Sequence, residues 1–253
     1  MSDPIASTPA DDKIRERIFC AIDTADLDRA RNLVEQLAGH VGGIKLGLEF
    51  FSAHGPDGVR AIMDAAGDQA LFLDLKFHDI PNTVAAAMRA SVPLGPHIVD
   101  VHGTGGRAML EAARDAARES AAQAGVTPPL VLAITVLTSL ERDDLTAVGV
   151  ASTVEDQVLR LATLAAEAGL DGVVCSALEI DALRRALGPD FTLVTPGIRP
   201  ASAAIGDQKR VMTPAEALAA GADYLVIGRP ITGADDPAAA AGQIISEAAA
   251  ALS

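Results

Sequence analysis

The sequence predicts an α/β fold, a single (β/α)8 barrel, from three observations. Eight short apolar runs, each bounded by glycine or polar residues, follow one another along the chain. The stretches between them carry apolar residues at helical spacing. The length, 253 residues, is close to the roughly 250 that such a barrel takes. Continuous apolar strands alternating with amphipathic helices imply a parallel sheet covered by helices, and eight units in one domain fit a closed barrel better than an open sheet. A doubly wound sheet is the structural alternative, but no G-x-G-x-x-G turn follows the first run to support it.

Taken in order, residues 1–14 read as a flexible N-terminal tail and residues 15–253 as the barrel, which forms one catalytic domain. The strand runs fall at 17–22, 41–48, 70–76, 97–102, 130–136, 171–175, 191–195 and 223–228. After the first, "ADLDRARNLVEQLAGH" sets Leu27, Ala30, Val34, Leu37 and Ala38 on one helical stripe. After the third, Pro81 opens a helix that carries Asp79 and Thr83 on a common face. After the fifth, "VEDQVLRLATLAAEAG" lines up Val154, Val158, Leu161 and Leu164. The segment "TPAEALAAG" is a complete helix unit, with Thr213 as N-cap, Pro214 at the first position, Glu216 closing a capping box and Gly221 as the stop. The longest connection without a pattern, residues 196–212, follows the seventh strand. A loop of that length in a compact domain reads as a lid or binding loop.

Composition narrows the function. Lysine and arginine number 20 against 34 acidic residues, a formal charge of -14. Nucleic-acid and anionic-membrane surfaces need a basic patch, so neither is expected as a partner, although a few convergent cations in a cleft still suffice for a phosphate. No apolar run has transmembrane length and the N-terminus lacks the pattern of a secretory signal, which makes the expected location cytoplasmic. Cys20 and Cys175 lie in apolar runs without metal-ligand spacing and read as buried thiols.

The chemistry concentrates at strand ends, where barrels of this kind keep their active sites. The third run, "FLDLKFHDIPNTV", places Phe72, Asp74 and Lys76 on one face of a strand and Leu73, Leu75 and Phe77 on the other. Two ions on one inward face must be paired with something. Asp23 follows the first run, Lys45 lies in the second, and the fifth leads through Thr135 to Thr138 and Ser139. Thr195, Pro196, Arg199 and Gln208 come after the seventh, and Gly228 and Arg229 after the eighth. Two arginines and backbone amides at the last two strands match the place where barrels hold phosphate. Taken singly, Asp23 would also serve as a helix cap, Lys45 as a snorkelling lysine, Arg229 as a surface ion-pair partner and Gln208 as a loop residue. His78 and His102 read as structural, and His40, His54 and His97 belong to no constellation.

These residues carry a resemblance. "LDLKFHDIPNT", together with "AID" at 21–23, "IKLG" at 44–47, "VHGTGG" at 101–106, "TVLTS" at 135–139, "DGVVCSA" at 171–177, "TPGIRP" at 195–200, "GDQKR" at 206–210 and "VIGRPIT" at 226–232, resembles the orotidine 5'-phosphate decarboxylases of the bacterial, single-domain type. The resemblance implies decarboxylation of orotidine 5'-phosphate to UMP without cofactor or metal. It implies that Lys76 protonates the C6 carbanion with Asp74 and Asp79 beside it, and that Asp23 and Lys45 hold the ribose. Thr138 would lie near the base. Pro196, Arg199 and Gln208 would belong to a closing loop, with Gly228 and Arg229 at the phosphate. It further implies a homodimer in which Asp79 and Thr83 reach the neighbouring subunit's site. The chain departs from the family's habit at Thr24, where an aromatic is frequent, and at Gly103, where alanine is usual. A magnesium-dependent sugar-phosphate aldolase or decarboxylase of the same superfamily is the competing expectation.

Overall fold

The computed structural model describes residues 8–200 and 212–252. Eight parallel strands, β1 Ile18–Ile22, β2 Gly43–Gly47, β3 Ala70–Phe77, β4 Ile98–His102, β5 Leu130–Ile134, β6 Gly172–Val174, β7 Thr192–Pro196 and β8 Tyr224–Ile227, pair in chain order, and β8 returns to β1 to close the barrel. Around them lie helices α1 Pro9–Arg15, α2 Leu27–Gln36, α3 Leu48–Ala66, α4 Pro81–Ser91, α5 Arg107–Ala124, α6 Arg142–Ala147, α7 Val154–Glu167, α8 Ile180–Leu187, α9 Pro214–Ala220, α10 Arg229–Thr232 and α11 Pro237–Leu252. All eight expected strands are found, with boundaries that differ from the sequence reading by no more than a residue or two at most ends.

Side chains alternate between two apolar layers, as the period of two requires. Ile44 and Leu46 of β2, Leu71 and Leu73 of β3, and Val99 and Val101 of β4 face the helices. Inside the barrel, Phe19, Ala21, Phe72, Ile98, Leu132, Val194 and Val226 form a second cluster. Phe19 meets Phe72 edge-on at 6.2 Å and Tyr224 at 5.5 Å, and stacks on His97 at 6.3 Å. The interior is therefore packed, and His97 belongs to this aromatic cluster. Gly43 makes room for it: a Cβ there would lie 2.3 Å from the Phe19 ring. Burying each Phe, Leu or Ile contributes about 1.5–3 kcal/mol, so the two layers supply most of the gross stabilisation.

Helix signals behave as expected at α9, where Thr213 accepts from the Glu216 amide and Gly221 ends the helix at φ 110°. Two expectations need correction. The tail expected over residues 1–14 is helical from Pro9: Thr8 and Asp11 form a capping box and Ile14 is buried in the outer layer, with α1 packed against α11. On α2 the buried stripe is Ala30, Leu33, Val34 and Leu37, while Ala38 is exposed because the helix has ended at Gln36 and the chain turns away. No helix among the described residues is long and apolar enough to cross a membrane.

Candidate active site

Strand β3 sets the site. Its partner register with β4 runs Phe72 to Ile98 and Leu73 to Val99, then resumes at Phe77 with Val101, so β3 spends four residues where β4 spends two. Within this bulge Lys76 has φ 50°, the single non-glycine residue with positive φ among the described residues. Such a conformation is strained for a side chain with a Cβ and is held only where its surroundings impose it. Asp74 and Lys76 both face the barrel mouth, as the strand period predicts, while Leu73 and Leu75 are buried in the outer layer.

At this mouth the charges interlock. Lys76 Nζ donates to Asp74 Oδ1, and Lys45 Nζ sits 3.0 Å from Asp74 Oδ2 and 3.3 Å from Asp23 Oδ1. Lys45 and Asp74 are about nine-tenths buried as side chains, whereas Asp23 is 61% exposed. Burial alone would raise the Asp74 pKa, but Lys45, a hydrogen bond with Asp100, and Lys76 together hold it well below the ordinary carboxylate range. Burial likewise opposes charge on Lys45, and Asp74 and Asp23 outweigh it, so its pKa lies above the usual lysine value. Gly47 leaves the space for this pair, since a Cβ there would approach Lys45 Nζ to 3.2 Å.

One partner was not among the expected residues. Asp100, midway along β4, is fully buried, and its Oδ1 accepts the Lys76 backbone N–H at 2.7 Å. Burial and the Asp74 carboxylate push its pKa well above the normal range. The signal was present in the sequence: Asp100 lies between Ile98 and His102 on the inward period of an apolar strand, the same pattern that singled out Asp74.

Lys45, Phe72, Asp74, Lys76, Ile134, Val136, Leu137, Thr138, Val174, Cys175, Pro196 and Val226 line a cavity of about 180 Å³ over these charges. Thr138 and Pro196 thus border the same cavity as Asp74 and Lys76. Cys175 touches the cavity, but burial raises its thiol pKa far above neutrality, and Cys20 is pushed up to about 12. Both are inert thiols. Arg199 is buried at the base of the long connection, where its N–H donates to the Met212 carbonyl at 3.1 Å. Burial and then the charge of Arg229 lower its pKa, which puts the two guanidinium groups within electrostatic reach of each other. Gly228 follows β8 and is the N-cap residue of the single turn of α10, which starts at Arg229. Gln208 lies outside the described residues.

Asp79 and Thr83 behave differently. Both are exposed beside Ile80, and Asp79 Oδ1 accepts from the Ile80 N–H at 2.6 Å. Pro81 starts α4 with Ile80 as its N-cap, so Asp79 precedes the helix that carries Thr83 and the helical spacing expected to join the two does not extend to it; among the described residues Asp79 makes no ion pair with Lys76. His78 and His102 tilt against each other at 5.4 Å. Burial, then His78 and Lys76, lowers the His102 pKa. No group of three metal-ligating side chains occurs among the described residues.

The model of the "Orotidine 5'-phosphate decarboxylase / HUMPS family" matches residues 16–244. The chain is 59% identical over 230 residues to an orotidine 5'-phosphate decarboxylase of Rhodospirillum rubrum, covering 91% of this chain and 93% of that protein. It is 55% identical over 234 residues to the enzyme of that name from Moorella thermoacetica, covering 92% of each. Among solved structures, the orotidine 5'-phosphate decarboxylase of Lactobacillus acidophilus superposes with a TM-score of 0.81 at 37% identity, covering 91% of this chain and 98% of that one.

Proposed function

The chain belongs to the orotidine 5'-phosphate decarboxylase / HUMPS family, and from that premise we infer that it is a carboxy-lyase that converts orotidine 5'-phosphate to UMP and carbon dioxide, the last step of pyrimidine nucleotide biosynthesis. The observation that carries this reading is the Lys76 ammonium, bound to Asp74 beside Lys45 at the floor of an otherwise apolar cavity. Relatives more than half identical over most of their length bear the nucleotide enzyme's name, which favours this substrate over a sugar phosphate.

Loss of carbon dioxide leaves an electron pair on C6 of the pyrimidine. A fixed positive charge stabilises it, and an acid must then protonate the carbon. Lys76 is suited to both tasks, because it is a compact ammonium that carries a transferable proton and is aimed by Asp74. Asp74 in turn stays ionised because Lys45 holds its second oxygen. In this reading Lys45 and Asp23 bind the ribose hydroxyls, and Thr138 and Pro196 border the base. The cavity, at about 180 Å³, is smaller than the 300 Å³ or more typical of ligand pockets. It would take the ring, and the phosphate would extend toward Gly228, Arg229 and Arg199, where two like charges in mutual reach favour an anion. Binding of the remote phosphate would help to order the charged array.

The exposed Asp79, Ile80 and Thr83 support a homodimer in which these residues complete the site of a second copy. Asp79 would there stand beside the partner's reacting centre. The assay is direct: the purified chain is added to orotidine 5'-phosphate and ultraviolet absorbance is followed, with Lys76→Ala as control. Loss of the substrate signal is expected with the wild type alone. A flat trace from folded wild-type protein would redirect the search to magnesium and sugar phosphates.

A further inference from the structure

We propose that Asp100 is a positioning residue for Lys76, holding the lysine backbone in the left-handed bend that turns its ammonium onto Asp74. This inference rests on the reading of Lys76 as the proton donor. A side chain with a Cβ at φ 50° is disfavoured by roughly 1–2 kcal/mol, so a local contact must hold it there. In a regular parallel ladder the Lys76 N–H would bond a carbonyl of the next strand. The register slip between β3 and β4 removes that geometry. Asp100 Oδ1 takes the N–H at 2.7 Å, reaching across from the middle of β4.

The remaining half of the carboxyl explains its state. Asp100 is fully buried, makes no ion pair among the described residues, and its Oδ2 meets no donor. The Asp74 carboxylate lies within hydrogen-bonding reach. The charged and titratable groups around it are Asp74, Lys76 and, beyond Asp74, Lys45, with His102 two residues along the strand. Two carboxylates cannot both stay ionised in such contact, and Asp74 has the two ammonium partners. Asp100 therefore keeps the proton and donates it to Asp74 while accepting from Lys76. A neutral Asp100 serves the reaction in a second way. An additional negative charge here would strengthen the hold of Lys76 on the proton that it must deliver to carbon.

Two substitutions and one spectrum test this. Asp100→Asn retains an acceptor for the Lys76 N–H and a donor for Asp74 but cannot titrate, and it should keep kcat within a few-fold of wild type. Asp100→Ala removes both bonds and should lower kcat by on the order of 10²-fold, with KM changed far less, as expected when an aimed group is misplaced. Wild-type kcat in Asp100→Ala, or a loss in Asp100→Asn equal to that in Asp100→Ala, would overturn the proposal. Infrared spectra at neutral pH should show the carbonyl band of a protonated carboxylic acid in wild type that is missing from Asp100→Asn. This readout decides the matter if the alanine chain fails to fold, and absence of the band would overturn the proposal. A wild type inert toward orotidine 5'-phosphate would instead count against the assigned reaction, and the infrared band would still report on the Asp100 proton.

Discussion

Lys45 Nζ lies 3.0 Å from the carboxylate oxygen of Asp74 that Lys76 does not hold. Each oxygen of one buried acid is thus committed to a different lysine. Removing either cation leaves the acid half-compensated in a low-dielectric site, where the cost is far larger than for a surface pair.

Lys45→Met should therefore destabilise the fold. Breaking a buried ion pair costs about 3–5 kcal/mol, and the lower end is expected because Lys76 still compensates Asp74. Urea unfolding at neutral pH measures it. A change below about 1 kcal/mol, the range of exposed pairs, would mean that water screens the pair.

The pH dependence has two signs within one cluster. The Asp74 pKa is lowered by folding, so its contribution to stability is present above the unfolded value of about 3.9 and is lost as pH falls through the lower folded value. Lys45 is raised, so its contribution is complete below about pH 10.4 and is lost as pH rises through the folded value. Asp100 is a raised carboxyl: above about pH 3.9 the unfolded chain has released a proton that the folded chain keeps, and stability falls with rising pH up to the folded value. Wild type should accordingly lose stability relative to Asp100→Asn as pH rises from about 4. Parallel denaturation curves for the two chains between acid and neutral pH would show Asp100 to be ionised.

Arg229→Ala should weaken kcat/KM by about 2–5 kcal/mol, the cost of truncating one side of a charged hydrogen bond to phosphate. An independent readout is thermal. Inorganic phosphate should raise the wild-type melting temperature, by an amount equivalent to about 2.7 kcal/mol at a hundredfold excess over its dissociation constant. Equal shifts in wild type and Arg229→Ala would remove Arg229 from the phosphate site.

Subunit mixing tests the shared site. Lys76→Ala and Asp79→Ala chains are each expected to be nearly inactive, and mixing them should restore partial activity through heterodimers with one complete site. Verified subunit exchange without recovery would mean that Asp79 acts within its own chain.

Most of the fold was legible because buried parallel strands read as uninterrupted apolar runs and helices such as α2, α7 and α9 announce themselves by period or cap. The charged pairs were legible for the converse reason: Asp74 and Lys76 stand where an apolar strand has no use for ions. Asp100 satisfies the same criterion but sits in mid-strand between Val99 and Val101, away from the strand ends where barrels keep their active sites. The Lys76 bend has no local signal at all, since it arises from the pairing of β3 with β4 and not from the residues that flank it. At the N-terminus, "TPAD" at 8–11 repeats the capping grammar of "TPAE" at 213–216. Its helix is too short to stand alone and depends on burying Ile14 against the rest of the barrel, which a short polar segment conceals.

The two additional residues that β3 spends against β4 set a condition for protein engineering. Grafting the aspartate and lysine onto a barrel with an unbroken ladder would reproduce the chemical groups at the wrong elevation, because the acid-lysine contact depends on an offset stored in the backbone. A transplant of this site has to carry the slipped segment and its buried β4 acceptor as one unit. Alternatively, a library that varies strand length at this point would sample reactivity that side-chain mutagenesis alone does not reach.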